Sequence, residues 1–414
     1  MQSVLQTAYI YDALRTPRGR ARPDGVLHAF TPFDLLSCLY AALETRSALD
    51  PLLIDDVVLG CATQVGEQAA NIAKTSTLYH GWPGSVPGIT VNRYCSSGLD
   101  AICIAASKIL CGMQQLSIAG GVEMMSRVAM LSDNPLAFTD TALASRLGMF
   151  MMGVGADYIA TAHSVTREEA DALALQSQQR AQHARASGFF KSLIPLRAAS
   201  AVAGVIEAES GQTAVVEDET IRSATTAQSL AAMQPAFEAA SLDGVAKRLL
   251  HENFSGKGMA HVHTAGNSPA MADGASALLL GSEQAGKQLR RGPRAKIVQM
   301  VTVNADPREV VSGCVAATSE LLRRTNLHAD AIDLFEIHEA FAATMVYGAR
   351  RLGIDNDKLN VNGGCIALGH PLGATGGIIV STLLDELERR NLRTGVAATS
   401  GAAGAGTAML IQRC

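Results

Sequence analysis

"VNGGCIALGHPLGATGGIIVSTLL", residues 361–384, reads as a strand end, a loop of small residues, and an apolar helix that begins near a glycine. Residues 91–110, "VNRYCSSGLDAICIAASKIL", follow the same order. Matching Gly98 to Gly373 sets Cys95 opposite His370; the shared VNxxC then falls out of register because the second loop is five residues longer. An echo of this kind points to a chain built from two related halves.

The surrounding pattern agrees. Short apolar or β-branched runs alternate with helical ones: "TAYIYDAL", "DDVVLGCAT", "GITVN" and "LSIAGGVE" in the first third, then "AKIVQMVTV", "AIDLFEIHEA", "NVNGG", "TGVAATS" and "GTAMLIQR" in the last. This is an α/β signature, written twice. Residues 127–256 are instead rich in Met, Ala, Gln and charge, and read as helices and loops. There "TREEADALALQSQQRAQHARA" opens with Thr166 and Glu169 in capping-box spacing and predicts one amphipathic helix. The expected organisation is a first half over 1–126, completed by about 257–288, an inserted domain over 127–256, and a second half over 289–414.

A chain of 414 residues has ample material for a buried core. With 48% hydrophobic residues, 17% charged residues and a net charge of −4, it has no basic field to hold a polyanion, so no nucleic-acid partner is expected. The N-terminal "MQSVLQTAYIYDALRTPRGR" carries Asp12 and lacks an apolar leader core, and no apolar run is long enough to cross a membrane; a cytoplasmic protein is expected. Eight scattered cysteines form no CxxC pair and no disulfide framework, and most read as reduced core residues. No metal site is expected.

Cys95 stands between a short strand and a helix whose first turn is "SSGL". A thiol at a helix N-terminus meets the positive end of the dipole, which predicts a lowered pKa and a nucleophile; the competing reading is a small buried cysteine. His370 lies in the loop "LGHPLGATG", and His338 with Glu339 lies where the strand "DLFEI" gives way to a helix. Strand-to-helix junctions gather active sites in α/β folds, so both histidines are candidate bases. The glycines of 362–377 match neither GxGxxG nor GxxxxGK[ST], which removes a nucleotide cradle. They suit close backbone approach to a substrate and amides aimed at an oxyanion.

"VNRYCSSGLDAI", "GGVEMMSR", "TAGNSPAMADGASA", "HEAFAA", "NVNGGCIALGHPLGATGG" and "SGAAGAGTAM" occur in the order and spacing of the thiolases, the acyl-CoA C-acyltransferases, and the chain resembles that family from "YDALRTPRGR" to its end. The resemblance implies two similar βαβαβαββ halves in a layered αβαβα core, with a helical loop domain inserted in the first that serves tetramerisation and CoA contacts. It implies a homodimer or homotetramer, with CoA as substrate and no further cofactor. The implied activity cleaves a 3-ketoacyl-CoA with CoA to acetyl-CoA and a shortened acyl-CoA, as in fatty-acid β-oxidation, or runs the reverse Claisen condensation.

By the same resemblance Cys95 is the acylated nucleophile. His370 draws its proton and contributes to an oxyanion hole. His338 takes a place that most members give to Asn and one branch gives to His, and serves that same hole. The amides of Cys95 and Ala402 form a second hole. The family's usual acid/base, a second cysteine, is replaced here by Ser400, a much weaker acid; Cys365, five residues before His370, is the candidate to stand in for it, against the reading of a small residue tolerated in a loop. Arg222 and Ser229 match positions near the CoA nucleotide and pantetheine, Met151 and Met152 match a pair lining the pantetheine tunnel, and Pro269 replaces a serine that bonds pantetheine. The segment "LDGVAKRLLHENF" reads as an amphipathic helix bordering the substrate entrance or decorating the surface. His338 leans towards longer acyl groups and the short loop domain towards shorter ones. Two other functions stay open: a decarboxylating condensing enzyme with a Cys-His-His set, and a silent acyl-CoA-binding relative.

Overall fold

The computed structural model describes residues 6–196, 214–241 and 258–414. Strands β1 (Tyr9–Arg15), β2 (Gly19–Arg20), β3 (Asp56–Gly60), β4 (Gly88–Val91), β5 (Leu116–Glu123), β6 (Ala272–Gly281), β7 (Ala295–Asn304), β8 (Leu334–Ile337), β9 (Thr394–Ser400) and β10 (Ala405–Arg413) run in the order β4-β3-β5-β6-β1-β7-β10-β9-β8, with β2 on β6. The join between β1 and β7 is short, Tyr9 to Lys296 and Ile10 to Ala295. On one side of it β3 lies parallel to β5, β5 antiparallel to β6, and β6 antiparallel to β1. On the other side β8 lies parallel to β9, β9 antiparallel to β10, and β10 antiparallel to β7. The chain thus repeats one sheet pattern.

Side-chain alternation turns the two arms into layers. In β10, Met409 and Ile411 face a central core while Ala408 and Leu410 face an outer one. In β6, Leu278 and Leu280 face the central core, and Ala277 and Leu279 the opposite outer core. The central core holds two helices, Ser97–Leu110 and Thr375–Arg389. The outer cores are covered by Pro32–Ser47 and Ile72–His80 on one side and by Gly313–Thr325 and Ala342–Leu352 on the other. The result is the expected αβαβα layering.

The inserted segment is helical, as its composition predicts. Its longest helix, Arg167–Ala186, starts on the Thr166–Glu169 capping box. Its alanines pack on Ala342, Ile366, Ala367 and Leu368 of the second half. The segment "LDGVAKRLLHENF" lies outside the described residues.

Two expectations differ from the structure. β6 is not apparent as a strand, because "ADGASALLLG" contains no β-branched or aromatic residue. "NVNGG" is not a strand: Asn360 and Gly363 adopt positive φ of 45° and 79° and turn the chain away. The Asn360 side chain takes over the pairing, accepting from Ile337 N and donating to Ile337 O, both at 2.8 Å.

The two central helices meet at backbone distance. A Cβ on Gly98 would lie 2.4 Å from the Gly373 carbonyl oxygen, and one on Gly376 would lie 2.0 Å from the Leu99 amide. Beneath this contact the buried Glu123 carboxylate accepts from Ala62 N, Thr63 N, Gly373 N and Gln68 Nε2 at 2.9 to 3.0 Å. It has no cation to pair with among these partners, and burial holds its pKa above the usual carboxylate range despite those donors. Gly376→Ala should cost about 3 kcal/mol by overpacking against backbone, read as a lower urea midpoint, with Gly84→Ala, where nothing lies within 4 Å, as control. Glu123→Gln places an amide NH₂ against N–H donors and should likewise cost about 3 kcal/mol; an unchanged midpoint would show that the four bonds are dispensable.

Candidate active site

Cys95 follows β4 on a tight loop. Tyr94 adopts a left-handed φ of 52°, its amide donates to Asn92 Oδ1 at 2.8 Å, and the Ser97 hydroxyl accepts from Arg93 N at 2.8 Å. Arg93 pairs with Asp100 in the helix that follows. So held, the half-buried Cys95 lines a pocket with Met130, Leu131, Phe138, Met152, Leu372 and Ala402. A Cβ on Gly401 would lie 2.7 Å from the Arg93 carbonyl oxygen, so the Gly401–Ala402 turn abuts this loop. One expectation is corrected here. The thiol is not lowered: burial, then the Glu123 carboxylate, push Cys95 up to about 12. Loss of hydration outweighs the helix terminus, and the resting group is a neutral thiol.

His370 comes from the glycine-rich stretch, between the short helix Cys365–Leu368 and the turn Leu372–Ala374. Its amide donates to Ala270 O at 2.8 Å, and Nδ1 meets the Thr375 hydroxyl at 2.7 Å, which leaves Nε2 for the site. His338 lies just past β8, its amide bonded to Ala398 O at 2.8 Å. The two imidazoles sit 4.1 Å apart, centroid to centroid. His338 is 2% exposed, and its ring nitrogens make no well-formed hydrogen bond, although the Ser400 backbone interacts with the ring and favours its charged form. Burial pushes it down to about 4, and burial followed by His338 and Arg18 push His370 well below the usual imidazole range. Both rings are neutral at rest.

Cys365 joins them. A ring nitrogen of each histidine and the Cys365 Sγ all lie within 4.8 Å of one another, and all three residues are buried. Glu339 sets this turn: Oε2 accepts from Ile366 N at 2.9 Å and from the Ser177 hydroxyl at 2.8 Å, and that hydroxyl accepts from Gly364 N. A Cβ on Gly364 would strike the Glu339 carboxyl at 2.3 Å, so glycine is required there. Burial pushes the Cys365 thiol up as well. Ser400 ends β9, and its hydroxyl accepts from Cys314 N at 2.8 Å, capping the helix Gly313–Thr325.

The residues matched to CoA contacts divide. Met152 stands in the Cys95 pocket. Met151 is exposed beside it, against Phe150 and Phe138. Arg222 and Pro269 line a separate cleft with Arg20, Arg22, Ser268 and Met271, and Met271 bridges to His370. Ser229 is exposed on the helix Ala227–Ala231, its hydroxyl donating to Thr226 O at 2.8 Å, and lines neither space. Sequence reasoning missed Arg20, Arg22 and Glu123; the first two sit in "RGRAR", residues 18–22, where closely spaced arginines near a turn were the only signal.

Residues 8–284 match the model of the thiolase N-terminal domain and residues 291–413 that of the thiolase C-terminal domain. The chain is 38% identical over 425 residues to a beta-ketoadipyl-CoA thiolase of Pseudomonas aeruginosa, covering 98% of each chain. It is 38% identical over 416 residues to a 3-ketoacyl-CoA thiolase of Serratia proteamaculans, covering 99% of this chain and all, 100%, of the relative. Human mitochondrial 3-ketoacyl-CoA thiolase, solved also in complex with CoA, superposes with a TM-score of 0.84 at 30% identity over 99% of this chain. Two domain models in tandem, full-length relatives and a shared fold leave one conclusion: the chain belongs to the thiolase family.

Proposed function

We propose that this acyl-CoA C-acyltransferase carries its acyl group on Cys95 and moves protons through His370 and Cys365. The observation that carries the reading is the convergence of His338, Cys365 and His370 on one buried spot, with the helix after Cys95 packed at backbone distance on the loop after His370. A neutral thiol needs a base at the moment of attack, and His370, neutral and braced by Thr375, supports that role. In thiolysis His370 takes the Cys95 proton and the sulfur attacks the 3-keto carbon. The C2–C3 bond then breaks, acetyl-CoA leaves as its enolate, and Cys365 gives its proton to C2. The thiol of CoA loses its proton to this acid/base pair and takes the shortened acyl group from Cys95.

The oxyanions need donors. His338, with two buried nitrogens that lack a well-formed hydrogen bond, fits one hole with His370; the amides of Cys95 and Ala402, on one pocket, fit the other. Ser400 is a poor acid by type, and its hydroxyl is engaged at Cys314 N. That engagement is what favours the second reading, a decarboxylating condensing enzyme, which makes its carbanion by losing CO₂ and needs no base at that step. A silent acyl-CoA-binding relative is disfavoured by an intact Cys95, His338 and His370.

The Cys95 pocket also points to a substrate class. Its described lining is apolar apart from Thr63, Asn92, Tyr94, Asp133 and Cys95 itself, and contains no cation to meet a distal carboxylate. This favours an uncharged acyl chain, as in β-oxidation, over the dicarboxylic acyl group in the name of the Pseudomonas relative. CoA reaches the site past Met152, with Arg222 and the neighbouring arginines near its phosphates. The inserted domain contributes those CoA contacts, and the chain works as a cytoplasmic homodimer or homotetramer, joined through the open edge at β4.

Incubation with a 3-ketoacyl-CoA and CoA should leave a covalent acyl mass on Cys95 and release acetyl-CoA. Cys365→Ala should lower kcat for thiolysis by about a hundredfold or more; unchanged thiolysis would remove Cys365 from the mechanism, and product only from malonyl-CoA plus an acyl-CoA would establish the condensing reading. A linear 3-ketoacyl-CoA should exceed 3-oxoadipyl-CoA in kcat/KM by at least about tenfold, and the reverse preference would overturn the substrate class.

A further inference from the structure

The cluster behind Cys95 has a second chemical property, independent of proton transfer. Two imidazoles and one thiol, all buried, bring their donor atoms within 4.8 Å of one another. Nitrogen and sulfur donors in threes select zinc and similar soft ions over magnesium or calcium. Zinc takes Zn–N bonds of about 2.1 Å and Zn–S bonds of about 2.3 Å, so donors within 4.8 Å of one another must draw further inward around the ion.

The partners of each ligand favour capture. His338 has two buried nitrogens without a well-formed hydrogen bond, a cost that a metal–nitrogen bond offsets. His370 is already braced at Nδ1 by the Thr375 hydroxyl, 2.7 Å away, which orients Nε2 as a ligand. Cys365 rides on the turn clamped by Glu339 through Ile366 N and Ser177. Against the expectation from sequence that the chain has no metal site, we infer that His338, Cys365 and His370 form a three-ligand site for Zn²⁺ whose occupation switches the enzyme off.

In the binding step Cys365 Sγ loses its proton to solvent and bonds the ion, while His338 and His370 each give a nitrogen lone pair without changing protonation. The fourth position is left to water or to the thiolate of CoA. The inhibitory half of this inference rests on the proposed roles of His370 and Cys365, since the ion occupies both at once; the site itself does not.

The full-length protein, stripped with a chelator and titrated with Co²⁺ and then Zn²⁺, tests both halves. We expect about one ion per chain and a thiolate-to-cobalt charge-transfer band that zinc displaces. The band should persist in the Cys111→Ser/Cys414→Ser variant, which removes the two exposed thiols, and disappear in Cys365→Ser and His338→Asn, with circular dichroism confirming that both remain folded. No band, or a band that survives Cys365→Ser, overturns the site. Saturating zinc should reduce thiolysis at least about tenfold, reversibly with chelator. Metal bound with thiolysis intact would uphold the site and overturn the catalytic roles of His370 and Cys365.

Discussion

Two helix ends without side chains in the way are the constraint on which this molecule turns. Because Gly98 meets the Gly373 carbonyl and Gly376 meets the Leu99 amide, the N-termini of the central helices cross at backbone distance. The loop bearing Cys95 and the loop bearing His370 each lead into one of those termini. The loops that carry Cys95 and His370 are therefore positioned by the packing of the core. Precision of this kind comes from rigid elements, and the energetic cost falls on positions where even a methyl group finds no room.

Buried carboxylates complete the arrangement. Glu123 ties the loop after β3 to Gly373, Glu339 ties the Cys365 turn to the inserted helix, and Asp157 accepts from the amides of Val262 and His263 and from the His263 ring. Each accepts from backbone N–H groups left without a strand or helix partner and from side chains, among them Gln68, Ser177 and His263. Glycine-rich loops need such acceptors, since their amides are otherwise orphaned when water is excluded. The acids thus convert loops of high intrinsic freedom into fixed parts of the site.

Much of this was legible in the sequence. The repeated order of strand, small-residue loop and helix announced the two central helices, and short apolar or β-branched runs marked most strands to within a residue or two, as at Leu116–Glu123. His338 and His370 were legible because they interrupt apolar or glycine-rich runs at strand ends. What was not legible depends on contacts distant in sequence. The state of the Cys95 thiol is decided by burial and by Glu123, neither visible from the helix that follows it. The engagement of Ser400 by Cys314 N joins residues 86 positions apart. β6 hid because its residues are Ala, Gly, Ser, Asp and Leu, with none of the β-branched or aromatic types that identify a strand.

Asn360 carries a consequence for the history of the repeat. In the first half a parallel strand, β4, flanks β3 and ends the sheet, with Ile89 presenting 43% of its surface. In the second half the equivalent flank of β8 is met by one bridge, Phe335 to Leu359, and by the amide of a single side chain. A duplicated unit begins with two identical rims, each able to recruit another chain and so to polymerise. Each rim is instead met by an asparagine amide: Asn360 bonds Ile337 at β8, and Asn71 Nδ2 donates to Gly88 O at 2.8 Å on β4, so neither edge presents an unbroken row of free backbone groups.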